Sequence, residues 1–174
     1  MPRSFDMSAA YPGSVEEVHR TFHHEEYWLA RLGEIPTDAA TVEEMRVGGE
    51  TDDDASIAVT TVQRVYHANL PALVTQLHRG DMCVRREESW SPVRDGVATA
   101  SIRAALLDAP VDVWGSAVLA PAAGQGGSRM SVDITVQVRV PLIGGKIEGL
   151  IGTQLRELMK LEERFTAEWM TANG

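Results

Sequence analysis

Cysteine is almost missing from this chain: Cys83 is the only one in 174 residues. One thiol closes no internal disulfide and cannot build a four-cysteine zinc site. Long apolar runs are also lacking, so no helix is expected to span a membrane. Basic residues are few. Lys and Arg total 16 against 25 Asp and Glu, a formal charge of −9, which repels a phosphate backbone or an anionic bilayer at long range and excludes nucleic acid as an expected partner. The opening MPRSFDMSAAYPG has no basic stretch followed by an apolar one, so no secretory signal is read there and a cytoplasmic protein is expected. There is no Ser-His-Asp order and no Gly-x-Ser-x-Gly elbow. The acidic run Glu50 to Asp54 lacks the Gly and Glu of a calcium loop and reads as a solvated hairpin tip. Neither a metal nor a cofactor is expected.

What is present is ordinary globular material, 44% apolar and 24% charged, of a length that suits a single domain over 1–174 with a core of its own. Arg3 to Ala10 alternates like a strand and stops at Tyr11-Pro12-Gly13. Ser14 and Glu17 have the spacing of a capping box, and Val15, Val18 and Phe22 recur at helical intervals behind it. A second short helix, Glu25 to Leu32, carries Trp28, Leu29 and Leu32 and ends at Gly33. Six strands follow: Thr41 to Val47, Ser56 to Val65, Met82 to Trp90, Val97 to Leu107, Val111 to Leu119 and Arg129 to Val140. In the last of these Met130, Val132, Ile134, Val136, Val138 and Val140 share one face, as in an antiparallel sheet covered on one side.

Asn69 to His78 interrupts the series with an apolar stripe of Leu70, Leu73, Val74 and Leu77, an amphipathic helix that serves as a lid or as a plug of core. Lys146 to Met170 then forms a long helix whose apolar arc is expected to hold Ile147, Leu150, Ile151, Leu155, Leu158, Leu161, Phe165 and Trp169. Gly144 and Gly145 are read as the turn after Pro141; Gly149 and Gly152 are read as sites where a neighbouring backbone comes close. A phosphate loop is excluded, because no glycine stands five residues before Gly145 and Ile147 replaces the Ser or Thr.

One strand, two short helices, six strands and a long final helix is the order of the helix-grip fold. The stretches MPRSFDMSAAY, HRTFHHEEYWLARL, LVTQLHRGDMCVRREESW and VPLIGGKIEGLIGTQL, with FTAEW after them, resemble the START-like (SRPBCC) superfamily. More closely they resemble an uncharacterised actinobacterial domain-of-unknown-function family within it. The resemblance implies an α+β fold, a curved antiparallel seven-stranded sheet wrapped around the C-terminal helix. It also implies a pocket between the two for a lipid, polyketide or other apolar molecule, to which some relatives add cyclase or hydrolase chemistry.

Polar residues at inward phases are therefore the candidates for fixing a guest. In MCVRREESW, Met82, Val84, Arg86, Glu88 and Trp90 share a face. Arg86 and Glu88 form a structural salt bridge there, or Arg86 anchors a carboxylate or enolate with Glu88 orienting it. On the final helix Gln154 and Glu162 fall within the apolar arc. Glu162 is a proton acceptor if buried, or a residue at the arc's edge reaching water. Leu77, Val136, Leu155 and Leu158 complete the expected ligand-binding set. His19 and His23 are expected on an exposed helix face rather than at a metal, and Cys83 is not a nucleophile. Trp114 shares a face with Asp112 and Ser116, which puts it outside at a contact with a second subunit, as in a homodimer, or inside if that strand's phase is reversed. Three functions follow: a carrier or sensor of a small apolar ligand without chemistry, a cyclase or hydrolase acting on such a ligand, or a protein-association module with a filled core.

Overall fold

A computed structural model describes residues 2–35, 37–48, 55–69, 72–77, 79–124 and 126–173. The strands are β1 (Arg3–Tyr11), β2 (Ala39–Val47), β3 (Ile57–Val65), β4 (Met82–Trp90), β5 (Ala98–Leu106), β6 (Val111–Pro121) and β7 (Ser128–Val138). They form one antiparallel sheet in the order β1-β7-β6-β5-β4-β3-β2. The helices are α1 (Val15–Thr21), α2 (Glu25–Glu34), α3 (Ala72–Leu77) and the 30-residue α4 (Gly144–Asn173). This is the helix-grip arrangement, with α4 lying along the inner face of the sheet.

The register fixes which side chains face α4. Val136, Ile134, Val132 and Met130 of β7 stand opposite Val113, Gly115, Ala117 and Leu119 of β6. Across β4 and β5, Arg86 pairs with Ala104, Glu88 with Ile102 and Trp90 with Ala100. The inner face is thus apolar except along β4 and the adjoining part of β3.

Two short helices close one end. The Ser14–Glu17 capping box starts α1 as the spacing requires. Phe22 then stacks at 5.2 Å on Trp90, and Tyr27 meets Phe165 and Trp169 of α4 at 5.8 and 5.9 Å. The Tyr27 hydroxyl reaches Thr166 Oγ1 at 2.6 Å, and the Trp28 indole donates to the Phe22 carbonyl at 2.8 Å, so these buried aromatics also satisfy their polar tips.

Several expectations are corrected. His19 is buried, not exposed: its Nε2 contacts the Ser91 carbonyl at 2.8 Å, and burial lowers its pKa. Leu29 and Leu150 are exposed. The side of α4 turned inward is centred on Gly144, Glu148, Gly152, Glu162 and Thr166, because small residues let the helix come closest to the sheet there. What Gly152 accommodates is a side chain, the Phe5 ring, which a Cβ would strike; Gly149 likewise faces the Arg3 guanidinium. Close backbone approach occurs instead at Gly144, where a Cβ would stand 2.6 Å from the Val138 carbonyl oxygen. The left-handed residue in the turn before α4 is Leu142, at φ 72°, rather than a glycine. The acidic run Glu50 to Asp54 lies outside the described residues. So do Leu70, Pro71, His78 and the side chains of Leu73, Val74 and Leu77, and with them the choice between lid and plug.

Candidate functional site

Beyond Gly152, larger residues at the inward positions of α4 hold the helix away from the sheet. A hollow of about 140 Å³ opens between Leu155, Leu158 and Met159 on one side and Val132, Ile134, Val113 and Ile102 on the other. Phe22, Trp90 and Tyr11 border it. Burial raises the pKa of the Tyr11 phenol, so Tyr11 is neutral.

Four charged side chains from three elements meet in its wall. Arg86 of β4 donates from Nη1 to both Glu162 oxygens of α4, at 3.0 and 3.1 Å, and also contacts Glu88. Arg31 of α2 lies 3.3 Å from Glu88 Oε1 and 3.4 Å from Glu162 Oε2. The Trp90 indole donates to Glu88 Oε2 at 3.4 Å, and the Arg31 guanidinium sits 4.3 Å over the Trp28 ring. Two guanidiniums and two carboxylates make a closed, neutral quartet.

Its electrostatics follow from that closure. Burial works against the charge on Arg31 and Arg86, but the two glutamates outweigh it and raise both pKa values. Burial likewise works against ionised Glu88, and Arg86 and Arg31 overcome it, holding the carboxyl below its ordinary range. Arg31, Arg86 and Glu88 therefore stay ionised near neutral pH.

Of the residues expected at a ligand site, Arg86, Glu88, Trp90, Leu155, Leu158 and Glu162 come together around this hollow. Glu162 is buried rather than at a wet edge, because Arg86 and Arg31 reach it from the sheet side. Gln154 does not join them: it is exposed and takes no part in lining the hollow. Val136 is fully buried but stands apart from the hollow, opposite Arg3 on β1, where Arg3 Nη1 reaches the Gly145 carbonyl in the first turn of α4. The Leu77 side chain lies outside the described residues. Among the wall residues that were not anticipated are the polar Arg31 and Gln63. Both carried a readable signal. Arg31 follows Trp28 by three positions on the buried face of α2, and Gln63 alternates with Ile57, Val59 and Thr61 on the inner face of β3.

A long helix gripped by a seven-stranded antiparallel sheet, with a hollow beneath it, is the START-like fold. Solved structures agree on the fold. The Zhui aromatase/cyclase from Streptomyces sp. R1128 superposes with a TM-score of 0.60 at 8% identity, over 98% of this chain and 94% of that one. A START superfamily protein from Mycobacterium smegmatis gives 0.50 at 13% identity, over 95% and 97%. The chain belongs to the family described as "Protein of unknown function (DUF2505)", whose model matches residues 6–170. It is 61% identical over 173 residues to the uncharacterized protein Rv0481c of Mycobacterium tuberculosis H37Rv, covering 99% of both chains.

Proposed function

We propose that the protein holds a small hydrophobic molecule in the hollow beneath α4 and acts as a carrier or sensor, without reacting with it. The observation that carries this reading is an apolar chamber whose charged residues are all engaged with one another. Burial in such a space contributes about 25 cal/mol per Å² of apolar surface. The volume, about 140 Å³, is close to that of a dry engineered cavity of about 150 Å³ that admits benzene. A longer lipid or polyketide chain would need α4 to move outward.

The quartet also favours binding over chemistry. A general base at neutral pH needs a carboxyl whose pKa is raised toward 7, whereas Glu88 is shifted the other way by two guanidiniums. Native mass spectrometry of protein expressed in an actinobacterial host, followed by extraction, tests the reading. The expected result is a bound apolar molecule. Re-adding it at about 100 times its Kd should contribute about 2.7 kcal/mol of stability. A protein that carries nothing, and whose Tm does not move across a broad apolar panel, overturns the proposal in favour of a filled association module.

A further inference from the structure

Two buried donors in the wall of the hollow lack a hydrogen-bond acceptor among the described residues: the Gln63 amide nitrogen and Arg31 Nε. Gln63 is 8% exposed and stands on β3 opposite Val84, one inward position along from the Thr61–Arg86 pair. Arg31 Nε lies 3.4 Å from Glu162 Oε2 but without the alignment of a hydrogen bond. A buried donor without an acceptor is destabilising, and native proteins leave few of them. Both of these have the same sense. They call for an acceptor atom.

Charge narrows the class further. The wall's two guanidiniums and two carboxylates already balance, so an anionic guest would bring a third negative charge with no cation of its own, and an ammonium would bring the mirror problem. Size narrows it again, to about the bulk of a single substituted ring. We infer that the guest is an uncharged carbonyl compound of this size. Its apolar body lies against Phe22, Val132 and Leu155, and its oxygen accepts a hydrogen bond from Gln63. This rests on the reading that the hollow holds a guest, and adds the guest's chemical class and the residue that selects it.

Three ring compounds of similar bulk separate the possibilities when their affinities are measured by ligand-observed NMR: acetophenone, ethylbenzene and benzoate. The ketone should bind about tenfold more tightly than the hydrocarbon, the worth of one neutral hydrogen bond, and benzoate should bind most weakly. Gln63→Leu should remove the ketone's advantage over ethylbenzene. Equal affinity for ketone and hydrocarbon, a preference for benzoate, or a ketone preference that survives Gln63→Leu overturns the assignment while a hydrophobic guest stands. Failure of all three to bind overturns both. Should Gln63→Leu not fold, Gln63→Met replaces it, and the wild-type ratio of ketone to hydrocarbon decides by itself.

Discussion

At its beginning, α4 rests directly on the sheet: Gly144 faces the Val138 carbonyl, Gly152 receives the Phe5 ring, and Glu148 Oε2 accepts the Val138 amide at 2.9 Å. From Leu155 to Glu162 the same helix stands off the same sheet, and the gap is edged by branched side chains and four charges. The first region is held by shape, the second by paired charge around space. Side-chain size along one seam of a helix is thus enough to make one end core and the other a chamber.

The largest effect should come from breaking the charged end. Glu88→Gln leaves Arg31 and Arg86 facing Glu162 alone, and should destabilise the protein by about 3–5 kcal/mol in urea unfolding. The pH dependence has a definite sign. Because the Glu88 carboxyl is held below its ordinary 4.5 in the folded protein, its contribution is present above that value and is lost as pH falls through the folded one. Acid unfolding of Glu88→Gln should therefore be less steep over that window; an unchanged profile would show that the quartet contributes nothing.

A smaller loss is expected from the packed end. Gly152→Ala improves helix propensity by about 1 kcal/mol, yet its methyl group collides with Phe5. The net result should be a destabilisation of about 1–3 kcal/mol. Adding Phe5→Leu should relieve part of it, a coupling that a double-mutant cycle measures. Were Gly152→Ala to stabilise the protein, the tight contact would have no energetic weight.

The smallest change in stability should follow from filling the hollow. Ala104→Leu, at a wall position opposite Arg86, should alter unfolding free energy by less than about 1 kcal/mol, because space is available where a packed core would be strained. It should nonetheless abolish binding of apolar guests. A large destabilisation would mean that this end is as solid as the other.

The strand-and-helix order was legible because alternation and capping are local. The ends of β4 and the Ser14–Glu17 box could be read from neighbouring residues alone. The inward pairing of Arg86 with Glu88 was legible for the same reason, from period two. What could not be read was the roll of α4. Hydrophobicity pointed to an arc through Leu150, whereas the close fit of Gly152 onto Phe5, 147 positions earlier by number, turned the helix until Glu148 faced in and Leu150 and Gln154 faced out. His19 failed likewise, since its acceptor, Ser91, belongs to a distant loop. Gln63 needed no distant partner. Its inward phase on β3 follows from alternation with Ile57, Val59 and Thr61.

The register that sets Arg3 against Val136 joins the first strand to the last. A ribosome must deliver β7 before β1 can acquire that neighbour, so the sheet's closing step waits for its last strand. Pairings of such long sequence separation are slow to form. Nascent chains arrested before β7 would present β1 as an open template for aggregation.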